Sequence, residues 1–131
     1  MRECNGYTLK DSLDRLVKIE ETTFVKGWDG HNASPITKCV IELTKDVLLR
    51  LSKQPTILPT ARNSIQLEYN NEYGAHLEFE VFSDKIDMFF YMTKGVSTVY
   101  RRIAKLDKIN WIVVRFMRGD HNSIINGSCR E

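Results

Sequence analysis

Residues 64–92, SIQLEYNNEYGAHLEFEVFSDKIDMFFYM, restrict the fold of this chain more than any other stretch. Ile65, Leu67 and Tyr69 alternate with Ser64, Gln66, Glu68 and Asn70, and Leu77, Phe79 and Val81 alternate with His76, Glu78 and Glu80. Ile86, Met88 and Phe90 alternate with Asp87, Phe89 and Tyr91. A period of two sets one face on a core and the other toward water, as in half-buried strands. Residues 70–74 and Ser83-Asp84 hold turn formers between the runs, so the segment predicts an antiparallel meander. A two-residue turn at Ser83-Asp84 also fixes a register. Val81 then faces Ile86, Phe79 faces Met88 and Leu77 faces Phe90 on the inner side, while Glu80 faces Asp87, Glu78 faces Phe89 and His76 faces Tyr91 outside.

The flanking segments read as helices. Leu9, Leu13, Leu16, Val17 and Phe24 recur at helical spacing, and Asp11 stands three residues after Thr8 as in a capping box, predicting a helix over 8–23. Gly27-Trp28-Asp29-Gly30 breaks it. Ser34-Pro35 is a start signal for a second helix with Ile36, Val40, Leu43, Val47 and Leu51 on one face and Cys39 on the buried side, ending before Pro55. Residues 55–60, with two prolines, form an extended lead into the sheet. Thr93-Lys94-Gly95 reads as a turn and 96–103 as a fourth, edge strand. Ile109, Ile112, Val113, Phe116 and Met117 follow a helical period, Asp107 caps the start and Gly119 closes the end, which favours a helix over a buried strand for WIVVRFM. Residues 120–131 are polar and aperiodic and read as a loose tail. The expectation is one α+β domain over 1–119 in the order ααββββα, two layers deep, with three helices on one face of a four-stranded sheet.

Composition narrows the function classes. At 131 residues the chain is long enough to bury a core without staples. A net charge of +2 argues for neither nucleic acid nor membrane by itself. Cys4, Cys39 and Cys129 are odd in number and lack CxxC spacing, so neither a disulfide framework nor a zinc site is expected. The N-terminal residues lack an apolar signal core and no apolar run approaches a membrane span, which points to the cytoplasm. Asn32-Ala33-Ser34 and Asn126-Gly127-Ser128 match the glycosylation pattern, which has meaning only on secretion.

Gly27-Trp28-Asp29-Gly30-His31-Asn32-Ala33-Ser34-Pro35-Ile36 resembles the WDGxGAxPI signature of a family of small, largely uncharacterised bacterial and mobile-element proteins. PTILPTARNSIQLEY at 55–69, with LEFEVFSDKI at 77–86, is similar to that family's central strand region, and together the likeness runs over 13–91. The family's usual end, a short strand and an IN-containing amphipathic helix, agrees with the C-terminal reading. Asn32 stands where the family usually has glycine. The resemblance implies a fold and a prokaryotic or phage setting, and it carries no activity.

Three surfaces invite a functional reading. Asp29 and His31 in a glycine-rich loop are spaced for a metal, the basis of a small metal-dependent enzyme. The stronger reading is structural: Trp28 plugs a gap, Asp29 accepts turn N–H groups and Gly30 supplies positive φ, with no metal or other cofactor. The outer sheet face carries Glu78, Glu80, Phe82, Asp87, Phe89, Tyr91, Tyr100 and Arg102. Facing Glu80 and Asp87 require a cation, for which Arg102 is placed. Aromatics beside acids suit a protein partner, or a second copy of the chain stacked face to face. Arg101, Lys105, Lys108, Arg115 and Arg118, with Arg102, gather late in the chain and suit phosphates. No Walker loop, GxSxG, HExxH or assembled nucleophile is present. The leading expectation is a non-enzymatic interaction module, such as an inhibitor, immunity or anti-defence factor of a bacterial or phage system. Nucleic-acid binding is the alternative.

Overall fold

The computed structural model describes residues 6–92 and 98–127. Helix α1 spans Leu9–Thr22 and opens with the capping box: Thr8 Oγ1 accepts from Asp11 N–H and the Asp11 carboxylate accepts from Thr8 N–H. Its buried positions are Ser12, Leu16 and Ile19. Leu9, Val17 and Phe24 are exposed instead of lining the core, because the buried stripe runs one position off the predicted one and α1 ends before Phe24.

Helix α2 spans Lys38–Leu49, starting three residues beyond Pro35. Residues 34–36 are held by other segments: Ser34 N–H donates to Ala61 O in a parallel bridge and Ile36 N–H donates to Thr23 O. These bonds keep the backbone extended, so Ser34-Pro35 does not start the helix; Thr37 does, without a side-chain cap bond. Val40, Ile41, Thr44, Val47 and Leu48 are buried, and Cys39 faces solvent, one position off that stripe.

Five antiparallel strands follow in sequential order: β1 (Thr56–Pro59), β2 (Ile65–Asn70), β3 (Ala75–Val81), β4 (Ile86–Met92) and β5 (Thr98–Ile103). The sheet therefore has five strands where four were expected. The proline-flanked lead is itself an edge strand, where a missing N–H is tolerated. The β3–β4 register is the one the Ser83-Asp84 turn predicts, with Phe82 N–H closing the turn on Lys85 O. The turn expected at Thr93-Lys94-Gly95, the start of the strand expected at Val96, and Cys4 and Cys129 lie outside the described residues.

Helix α3 (Asp107–Met117) confirms the helical reading of WIVVRFM. Its N-cap is Leu106, and Asp107 instead pairs with Arg50 at 2.7 Å. Gly119, at φ +78°, closes the end. The expected tail contains helix α4 (His121–Asn126), capped by Asp120 and stopped by Gly127 at φ +61°. Its one buried residue, Ile124, is enough to dock it, which a six-residue stretch does not announce by periodicity. The order is ααβββββαα.

One core joins these layers. Leu16, Ile19, Val40, Leu48, Ile109, Val113, Phe116 and Ile124 from the four helices pack with Ile65, Leu67, Leu77, Phe79, Met88 and Phe90 from the inner sheet face. Packing every helix onto this face leaves the opposite face without a helical cover among the described residues.

Candidate functional site

The outer face presents Gln66 and Glu68 of β2, His76, Glu78 and Glu80 of β3, Asp87, Phe89 and Tyr91 of β4, and Tyr100 and Arg102 of β5, because alternate side chains of each strand point the same way. Tyr100 is 70% exposed, while Phe89 and Tyr91 are half-buried against one another with ring centroids 5.7 Å apart. Tyr91 also meets His76 across the β3–β4 pair at 5.5 Å. Phe82 sits at the β3–β4 turn, with Lys85 Nζ 4.7 Å and the Arg62 guanidinium 5.9 Å from its ring centre.

At one end of this face, Glu80 and Asp87 stand opposite each other and are only 8% and 5% exposed. Two like charges in that setting demand cations. Arg102 Nε donates to Asp87 Oδ1 at 2.9 Å, Tyr100 O–H donates to Oδ2 at 2.9 Å, and Lys85 lies 3.9 Å away. Sequence reasoning placed Arg102 here but missed Arg62, whose Nε and Nη2 donate to the two Glu80 oxygens at 2.7 and 2.5 Å. Ser64 Oγ donates to the same carboxylate. Burial pushes both carboxyls up, but the bonds from Arg62 and Ser64 on Glu80, and from Arg102 and Tyr100 on Asp87, outweigh it and hold both below their ordinary values. Most of the donor capacity around these acids is already engaged within the chain.

The glycine-rich loop explains how Arg62 reaches Glu80. Asp29 Oδ1 accepts from His31 N–H at 2.9 Å and from Ala33 N–H at 3.2 Å, and these bonds hold its carboxyl below the ordinary value. Trp28 Nε1 donates to Ser34 O at 2.8 Å, and Gly27 and Gly30 take positive φ. The loop so shaped bridges Ser34 to the 60–63 turn, and Thr37 N–H donates to Asn63 Oδ1, with Asn63 itself at φ +57°. Arg62 projects from that turn. Asp29 and His31 are thus engaged in turn geometry.

At the other end of the face, Glu68 of β2 and Glu78 of β3 are also directly opposed. Among the described residues no Lys or Arg lies within ion-pair distance of either. Their neighbour is His76, two residues before Glu78 on the same side of β3, whose Nε2 is 2.9 Å from Glu78 Oε1 and whose Nδ1 is 3.0 Å from Asn70 Oδ1. The ligating atoms of Glu68, His76 and Glu78 all lie within 4.8 Å of one another. Sequence reasoning named Glu78 alone. The usable signal was the His-x-Glu alternation on β3 combined with the β2–β3 register, which the longer 70–75 connection does not fix by itself.

Of the late basic residues, Arg101, Arg102 and Lys108 line one common cavity with Trp111 and Ile124. Arg101 and Arg102 are adjacent on a strand and point to opposite faces. Arg101 turns inward and donates to Ile124 O and Ile125 O at the end of α4. Arg115 stacks on Trp111 at 4.8 Å and lies 3.7 Å from Asp120, and Lys105 and Arg118 are exposed. Lys108 is half-buried on α3.

No helix among the described residues is long and apolar enough to cross a membrane. Comparison with protein-family models, with curated proteins and with solved structures finds no match.

Proposed function

We propose that this chain is a non-enzymatic interaction module that receives a protein partner on its outer sheet face. The observation that carries the reading is a β surface, free of helices among the described residues, on which exposed Tyr100 and half-buried Phe89 and Tyr91 are bordered by Glu68, Glu78 and Arg102. The loop chemistry of Asp29 and His31 and the exposed position of Cys39 offer no assembled nucleophile and base among the described residues. An exposed free thiol at Cys39 fits a reducing cytoplasm. A role as an inhibitor, immunity or anti-defence factor is the form of this function we propose, and the likeness of residues 27–36 and 55–86 bears only on its bacterial or phage setting.

The test replaces Phe89 and Tyr91 together by serine and follows affinity capture from the native host by mass spectrometry. Loss of a specific partner, with circular dichroism still showing the folded protein, is the expected result. Undiminished capture removes this face from the function. Nucleic-acid binding through Arg101, Lys105, Lys108, Arg115 and Arg118 is the weaker reading, since Arg101 is engaged by α4 and Arg115 by Trp111 and Asp120. It requires an affinity that falls steeply with salt in a mobility-shift titration.

A further inference from the structure

We propose that Glu68, His76 and Glu78 form a binding site for a divalent transition-metal cation of the zinc type on the outer sheet face. The inference does not depend on the protein-binding reading. Two carboxylates face each other directly across β2 and β3, an arrangement that costs stability unless positive charge lies between them. The same face solves that problem at Glu80 and Asp87 with Arg62, Arg102 and Lys85. At Glu68 and Glu78 no Lys or Arg of the described residues comes within ion-pair distance; Arg62 acts on Glu78 only through space, the direct neighbour is an imidazole, and the site is partly desolvated, with His76 and Glu78 side chains 19% and 22% exposed.

The donor set is one nitrogen and two carboxylates. Imidazole selects zinc and its transition-metal neighbours over magnesium or calcium, which prefer oxygen alone. His76 is also oriented as metal-binding histidines are: Asn70 Oδ1 engages Nδ1 and Tyr91 flanks the ring, leaving Nε2 aimed at the two carboxylates. Ligand atoms sharing one tetrahedral zinc stand about 3.4 Å apart, given bonds of about 2.0–2.2 Å. The atoms here lie within 4.8 Å of one another, so the glutamates close the remainder by torsional changes. On binding, the Nε2–Glu78 hydrogen bond gives way to coordination, and any proton held on Nε2 leaves to solvent. Three protein ligands leave a coordination position open toward solvent.

The test uses the full chain with Cys4, Cys39 and Cys129 replaced by serine, so that thiols do not compete for metal. Zinc chloride is titrated calorimetrically and cobalt(II) is followed by its visible absorption. The expected result is one equivalent bound, a rise in melting temperature with zinc, and a cobalt band characteristic of nitrogen and oxygen ligands. Glu68→Gln and His76→Gln should each weaken binding at least about tenfold, and Asn70→Ala about tenfold through loss of ring orientation. Glu68→Gln guards against a merely structural effect, because relieving the carboxylate repulsion should raise the metal-free melting temperature while abolishing the zinc-dependent rise. No saturable binding at millimolar zinc, or binding unchanged in both Glu68→Gln and His76→Gln, overturns the proposal.

Discussion

The outer sheet face contains two directly opposed carboxylate pairs, Glu80 with Asp87 and Glu68 with Glu78, and the protein treats them differently. Glu80 and Asp87 are nearly buried and carry two arginines, a lysine, a serine and a tyrosine. Glu68 and Glu78 are half-buried and carry one histidine. The first pair is a closed electrostatic unit that ties β3, β4 and β5 to the turn before β2. The second keeps net negative charge where a cation or a basic side chain of another molecule can enter. Identical strand chemistry thus gives a structural device at one end and an open one at the other, and the difference is decided by which loops bring cations.

Removing Arg62 should break the contrast most severely. Arg62→Ala leaves Glu80 facing Asp87 with only Ser64 as a donor, and a loss of about 2 kcal/mol in urea unfolding is expected, less than for a fully buried pair because Arg62 is itself exposed to solvent. Acid should come next. A carboxyl held below its unfolded value contributes stability that is complete above that value and is lost as pH falls through the lower folded value. Glu80 and Asp87 are both held down, from ordinary values of 4.5 and 3.8, so stability should decline as pH drops below this range. Urea midpoints between pH 7 and pH 2 should fall less steeply in Glu80→Gln than in the parent chain. Arg102→Ala should cost about 1 kcal/mol, since Tyr100 and Lys85 still serve Asp87. The smallest effect has the opposite sign: Glu68→Gln should stabilise the protein by about 0.5 kcal/mol at low ionic strength, and less in salt. Destabilisation by Glu68→Gln would mean that the second pair is compensated after all.

Local signals carried the middle of the fold. The Ser83-Asp84 turn, with alternation on both sides, gives the β3–β4 register and with it the Glu80–Asp87 encounter and the place of Arg102 on the neighbouring strand. Arg62 was not legible because its position depends on the 27–37 loop grasping the 60–63 turn, a contact between segments far apart in sequence. Strand β1 is short and ends on a proline, and α4 buries a single side chain, so neither repeats a pattern long enough to read. Cys39 shows the limit of helical spacing, where a slip of one position turns a side chain by about 100° and exchanges core for solvent. The Glu68, His76 and Glu78 cluster needed a register that no two-residue turn supplies.

The two outer strands have a consequence for how this protein behaves at high concentration. Edge strands are templates for fibril growth, and both edges here carry obstacles. Strand β1 is bordered by Pro55 and ends on Pro59, and Arg15 donates to its Ile57 carbonyl. Strand β5 carries the inward Arg101, so a chain docking along it in sheet fashion would have to accommodate a guanidinium already bound to the end of α4. Self-association by strand addition is therefore disfavoured on either side, and crowding should drive these molecules together through broad surfaces rather than into filaments.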